Sequence, residues 1–174
     1  MATIGIISPP TLGHVNPFLI LGRELIKKGH KVVFFQLEEI KQHILNAGLE
    51  YHQIGKLIPK NIMQNMQKEL GQLSGLDAMH YWRKRQVALF KVWFAELPMA
   101  IEKEAIDMLL IDQSDGVGGT IADAKNIPYV TVSMGLDIEW EKNIPPFFLS
   151  RDYDLSDSTI RCNKMAMDEF VKDF

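Results

Sequence analysis

The chain of 174 residues contains a single cysteine, Cys162. That excludes an intramolecular disulfide and a cysteine-built zinc site, and the thiol reads as a free side chain on the last helix of a protein from a reducing compartment. The charge excess is small as well. The formal net charge is −3, which gives no electrostatic reason to expect nucleic acid or an anionic membrane as partner. No apolar run reaches the ~20 residues of a transmembrane helix. Met1-Ala2-Thr3 lacks the basic start of a secretory signal. His30, His43, His52 and His80 show no paired metal-ligand spacing and read as structural or exposed, so no metal site is expected. Neither G-x-G-x-x-G nor G-x-x-x-x-G-K-[ST] occurs, and there is no internal repeat or low-complexity segment. These absences leave a cytoplasmic protein, at most peripheral at a membrane, with no bound cofactor.

What is present is an ordinary globular balance, 47% hydrophobic and 24% charged, at a length that suits one domain spanning residues 1–174. Apolar runs of strand length alternate with helical patterns, the signature of an α/β protein with a doubly wound, mainly parallel sheet and helices on both faces. Thr3 to Ser8 reads as the first strand. In the helix that follows, Asn16 can cap, Pro17 suits the first helical position, Phe18, Leu21 and Leu25 form the buried stripe, and Gly29 ends it. Val32 to Phe35 is a second strand, Glu38 to about Ala47 a helix ending at Gly48, and Leu49 to Ile54 a third strand.

The middle of the chain interrupts this alternation. Lys56 to Leu73 carries Met63, Met66, Leu70 and Leu73 at helical spacing. Two readings stay open there: an ordinary core stripe, or a movable lid over an apolar substrate. A further helix from about Leu76 to Glu96 presents Phe90, Trp93, Phe94 and Leu97 as its buried face. It carries Arg83-Lys84-Arg85 as a solvated cluster, and Pro98 breaks or kinks it before a continuation to Ala105. Met108 to Asp112 is the next buried strand, followed by the glycine-rich turn 113–119, where close backbone packing explains the glycines better than a phosphate does. A helix from Thr120 to Lys125, a strand from Ile127 to Ser133, a loop at 143–148 and a helix from about Asp157 to Lys172 complete the chain.

In an open α/β sheet, ligands bind outside the carboxyl ends of the strands. His14 follows the first strand in the run Gly13-His14-Val15-Asn16-Pro17, and Asp112 ends a later one, so both fall on that edge. A neutral imidazole can take a proton from a hydroxyl while a carboxylate on its other nitrogen fixes the tautomer and stabilises the imidazolium. Histidines also occupy turns and aspartates also cap helices, and Asp115 competes with Asp112 for the partner role.

Together the segments Pro9-Pro10, Gly13-His14-x-Asn16-Pro17, Leu21-Gly22-Arg23-Glu24-Leu25 and Gly29-His30-x-Val32 closely resemble the amino terminus of UDP-glycosyltransferases, two-domain GT-B enzymes of family 1. Leu110-Ile111-Asp112-Gln113, Gly118-Gly119-Thr120-Ile121-Ala122 and Pro145-Pro146-Phe147 look like the bacterial branch that includes zeaxanthin and macrolide glycosyltransferases. The resemblance implies a Rossmann-like fold, the amino-terminal half of GT-B. It also implies inverting transfer of a hexose to a hydroxyl of a lipophilic small molecule, with His14 as general base and Asp112 as its partner. Pro10, Asn16, Gln113, Met63, Met66 and Phe147 would bind the acceptor. UDP-sugar would be a co-substrate held mainly by a carboxyl-terminal donor domain. The signature of that domain, rich in His, Gly, Trp and Gln, does not follow Pro146, so the isolated chain is expected to be inactive.

Three organisations compete: the acceptor-binding half of a transferase, paired with a separate donor-domain chain or self-associating; a non-catalytic module for a lipophilic ligand; and an unrelated dinucleotide domain. The last ranks lowest, because Pro9-Pro10-Thr11-Leu12-Gly13 carries no phosphate fingerprint.

Overall fold

The computed structural model describes residues 1–135, 141–146 and 148–172. Its contacts divide into two compact units, Met1–Met134 and Gly135–Phe174. In the first, the elements run β1 (Thr3–Ile7), α1 (Leu12–Lys27), β2 (Lys31–Gln36), a 3₁₀ turn (Glu38–Ile40), α2 (Lys41–Asn46), β3 (Glu50–Gln53), α3 (Ile62–Leu70), α4 (Gly75–Lys103), β4 (Met108–Asp112), α5 (Gly118–Lys125) and β5 (Tyr129–Val132). The strands form one five-stranded sheet in the order β3-β2-β1-β4-β5, and every neighbouring pair is parallel. This is the doubly wound, Rossmann-like architecture expected from the alternating pattern.

Period-two alternation divides the strand side chains between two cores. Ile7, Val33, Phe35, Leu109 and Ile111 face the helices α3, α4 and α5, where Met63, Met66, Trp93, Leu97 and Ile121 are buried. Ile4, Ile6, Val32, Phe34 and Leu110 face the other way, against Val15 and Phe18 of α1 and Ile44 of α2. Phe18 and Phe34 meet edge to face, with ring centroids 6.3 Å apart. Each fully buried side chain of this size stabilises the fold by about 1.5–3 kcal/mol relative to exposure. Gly29 and Gly48 sit just past α1 and α2 with φ of +87° and +82°, the left-handed conformation that a helix stop of this kind requires.

Several local expectations are corrected. α1 begins at Leu12, not after Asn16, with the Thr11 carbonyl accepting from the amides of His14 and Val15. Fully buried Val15 extends the apolar stripe one turn earlier than Phe18. Pro17 is tolerated inside α1 because the carbonyl it leaves without a donor belongs to Gly13, an exposed residue that water can reach. α4 likewise runs through Pro98 to Lys103, and there the carbonyl left over is that of exposed Phe94. Phe94 is therefore not part of the buried face, which follows Leu89, Trp93, Leu97 and Ile101. Arg83 is buried while Lys84 is exposed, because consecutive helical residues point about 100° apart and a three-residue run cannot share one face. Arg85 lies along α4 with its guanidinium 3.2 Å from Glu69.

The second unit contains α6 (Asp157–Val171). Ser156 caps it by accepting from the Thr159 amide, and the Asp154 carboxylate accepts in turn from the Ser156 and Thr159 hydroxyls. Within this unit Phe148 and Phe170 stack with centroids 4.9 Å apart. Among the described residues, no helix is long and apolar enough to cross a membrane.

Candidate active site

β1 and β4 are parallel neighbours paired to Ile7 and Ile111. Their next residues, Ser8 and Asp112, therefore lie side by side at the carboxyl edge of the sheet. His14 enters from the first turn of α1, and its Nδ1 lies 2.8 Å from Oδ2 of Asp112. Asp112 is fully buried, whereas the His14 side chain is 35% exposed. With Nδ1 donating to the carboxylate, Nε2 carries the lone pair, and among the described residues it has no hydrogen-bond partner. The geometry sets a partly exposed imidazole against a buried carboxylate.

The electrostatics follow from that contact. Its hydrogen bond to Asp112 raises the His14 pKa above the ordinary histidine value, and the effect outweighs partial burial, which lowers it. Burial pushes the Asp112 carboxyl up, but the bonds from His14 and Ser114 together bring it below the usual carboxylate range. The two shifts act in different pH windows. Asp112 contributes stability that is present above its unfolded pKa and lost as pH falls through the lower folded value. His14 contributes stability that is full below its unfolded pKa and lost as pH rises through the higher folded one. We therefore expect the stability gap between the native chain and Asp112→Asn, measured by urea unfolding, to peak between roughly pH 4 and 6.5 and to shrink on both sides. A gap that is flat with pH would show that the two groups are not coupled.

Asp115, the rival partner, points elsewhere. Its Oδ1 accepts from the amides of Val117 at 3.0 Å and Gly118 at 2.6 Å, capping the start of α5, and burial pushes its carboxyl up. The glycines of this turn serve close packing. A Cβ on Gly116 would lie 2.7 Å from the Phe90 ring, and one on Gly118 would lie 3.0 Å from Ile111.

Two residues that the sequence reading did not single out build the site. Ser114 donates to Oδ1 of Asp112 from its amide at 2.9 Å and from its hydroxyl at 2.5 Å. An Asp-x-Ser spacing at a strand end is a local turn signal that could have found it. Gln36, fully buried at the end of β2, donates to the Ser8 carbonyl at 3.0 Å and accepts from the Leu37 amide at 2.8 Å. It thereby fixes the loop that leads into α1.

Of the residues expected to contact an acceptor, Pro10 and Gln113 follow the ends of β1 and β4. Pro10 is buried in the β1–α1 loop, Asn16 is exposed on α1, and Gln113 is half-buried directly after Asp112. Met63 and Met66 are 8% and 7% exposed and belong to the α3/α4 core, which favours the core-stripe reading for both. Met66 also lines an apolar cleft of about 210 Å³ with Leu57, Ile62, Leu89 and Val92. A larger, more polar cavity of about 380 Å³ opens past the ends of β2 and β3, beside Leu37, Glu38, Gln53 and Lys60. Phe147 lies outside the described residues. Of the other histidines, His52 bonds Glu104 at 2.7 Å and ties the end of α4 to the sheet. Among the described residues, no group of three side chains is placed to hold a metal ion.

Comparison with known proteins adds a family to this geometry. Residues 4–106 match the family described as the glycosyltransferase family 28 N-terminal domain. The chain is 26% identical over 159 residues to a zeaxanthin glucosyltransferase of Pantoea ananas, covering 91% of this chain and 37% of that protein. It is 27% identical over 130 residues to a sterol 3-beta-glucosyltransferase of Saccharomyces cerevisiae (strain YJM789), covering 72% and 10%. The crystal structure of SsfS6, a glycosyltransferase of Streptomyces sp. SF2575, superposes with a TM-score of 0.61 at 19% identity, over 76% of this chain and 39% of that one. At that identity the superposition speaks to the fold. The chain thus spans well under half the length of these proteins.

Proposed function

The chain belongs to the glycosyltransferase family 28 N-terminal domain family, with the fold of the amino-terminal half of GT-B glycosyltransferases, and from that premise we propose that it is the acceptor-binding half of a UDP-sugar-dependent transferase. The observation that carries this reading is the 2.8 Å contact between His14 and buried Asp112 at the carboxyl edge of the sheet. In the proposed reaction Nε2 of His14 takes the proton of an acceptor hydroxyl. The acceptor oxygen bonds to the anomeric carbon of the sugar while the bond from that carbon to the nucleoside diphosphate breaks. The leaving diphosphate keeps the electron pair, and the configuration inverts. Asp112 holds the tautomer and stabilises the imidazolium.

The acceptor is proposed to be a lipophilic molecule bearing a hydroxyl, in keeping with the zeaxanthin and sterol named for two relatives. The apolar cleft beside Met66 suits its hydrocarbon body. The polar cavity shares Ile58, Pro59 and Ile62 with that cleft, so the two adjoin and together offer a space of ligand size. Pro10, Asn16 and Gln113 are proposed to border the reacting hydroxyl. UDP-sugar is proposed to be held mainly by groups outside these 174 residues, because the β1–α1 turn carries a histidine where a phosphate fingerprint would lie.

The isolated chain should accordingly bind lipophilic alcohols, with a rise in melting temperature, yet neither bind UDP tightly nor transfer glucose from UDP-glucose. Calorimetry and mass spectrometry of the products check both. Fusing the chain to the part of the Pantoea ananas enzyme that it does not span should produce a glucoside of inverted configuration. Robust transfer by the isolated chain would overturn the half-enzyme reading. A folded fusion that binds the alcohol but transfers nothing would indicate a binding module instead.

A further inference from the structure

We propose that Ser114 is a positioning residue that holds the Asp112 carboxylate in the orientation in which it meets His14. The inference rests on the transfer reading only for its effect on turnover; its structural part stands on the hydrogen bonds alone. Oδ1 of Asp112 accepts both the amide and the hydroxyl of Ser114, at 2.9 and 2.5 Å, while Oδ2 accepts from Nδ1 of His14 at 2.8 Å. The terminal torsion of an aspartate is broad, so one backbone donor does not fix the carboxylate plane. A second donor on the same oxygen does. Asp112 is fully buried, which restricts the water that could replace a lost hydroxyl. The Ser114 hydroxyl also lies 3.5 Å from Nδ1 of His14. With its proton committed to Oδ1, it turns lone pairs toward the same N–H that Asp112 accepts.

A purely structural role for the turn makes a different prediction. The bonds from the Ser114 amide to Oδ1 and from the Asp115 amide to the Asp112 carbonyl, at 2.9 Å each, do not involve the hydroxyl. Ser114→Ala therefore keeps the turn and removes only the second donor, and Ser114→Thr restores it.

The test is the Nδ1–H resonance of His14 in ¹⁵N-histidine-labelled chain, followed by NMR together with its exchange with water. We expect Ser114→Ala to move the resonance upfield and to speed its exchange about tenfold, the loss of roughly one charge-assisted hydrogen bond. Ser114→Thr should match the native chain, and Asp112→Asn should abolish the signal. In the fusion transferase, Ser114→Ala should lower kcat about tenfold with KM unchanged. If the alanine variant fails to fold, Ser114→Cys, a weak donor of similar size, gives the same comparison. A native resonance and exchange rate in the alanine or cysteine variant, with the signal lost in Asp112→Asn, overturns the role of Ser114 and leaves the pair intact. A signal unchanged by Asp112→Asn removes the pair itself, and with it the transfer reading.

Discussion

His14→Ala in the fusion transferase lowers kcat on the order of 10³-fold, within the span typical of a lost general base, while affinity for the lipophilic alcohol stays within about twofold. The expectation follows from where the side chain sits. His14 is half-buried on the first turn of a helix whose buried face is made by Val15, Phe18 and Gly22, so truncating the imidazole disturbs no core contact. Asp112→Asn should cost nearly as much. An asparagine can still meet Nδ1, but it lacks the charge that stabilises the imidazolium and can turn its own donor toward the ring, favouring the wrong tautomer. Activity of the native fusion should rise with pH as the imidazole loses its proton, with a midpoint above the ordinary histidine value because Asp112 raises the His14 pKa. In Asp112→Asn that midpoint should move to lower pH. Product formation by His14→Ala within tenfold of native would show that another group, or solvent, takes the proton.

The parts of this site that could be read from the sequence share one property: chain order determines them. In a parallel sheet every strand points the same way, so a residue that follows β1 and a residue that ends β4 must share an edge whatever the strand order. Adjacency of the strands was a further step, and the β1–β4 pairing supplies it. The choice between Asp112 and Asp115 was not legible, because it turns on two backbone amides, Val117 and Gly118, that occupy Asp115. Asn16-Pro17 is a strong local start signal, yet α1 begins at Leu12 and buries Val15 ahead of it. Buried Arg83 and exposed Phe94 depart from the sequence pattern for a related reason. Residue type suggests a side, but the axis of α4 relative to the sheet decides which face is covered, and that depends on packing over its whole length.

Gln36 is the residue least legible in advance and the one whose loss should most destabilise the site. It ends the run Lys31–Gln36 and reads locally as the polar stop of an apolar strand, yet it is fully buried. Its amide reaches back 28 residues to Ser8, whose carbonyl accepts from Nε2, while Oε1 accepts from the Leu37 amide. Ser8 and Leu37 are themselves 0% and 3% exposed, so water cannot readily replace either bond. Gln36→Leu should therefore leave two buried backbone groups unsatisfied, at about 1–3 kcal/mol each, which the added apolar contact offsets only in part. We expect a loss of roughly 2–5 kcal/mol in urea unfolding, a large share of the 5–15 kcal/mol that holds a typical domain folded. Gln36→Glu should lose less while protonated, because the neutral acid can accept from Leu37 and donate to the Ser8 carbonyl, and should become more destabilising as pH rises and the group ionises, setting a buried charge and an acceptor against that carbonyl. Because the Ser8 loop leads directly into α1, the His14 Nδ1–H signal should weaken in Gln36→Leu even under conditions where the chain remains folded. Loss of less than about 1 kcal/mol with that signal intact would mean that the bridge from β2 is dispensable, and that the β1–α1 loop is held by α1 packing alone.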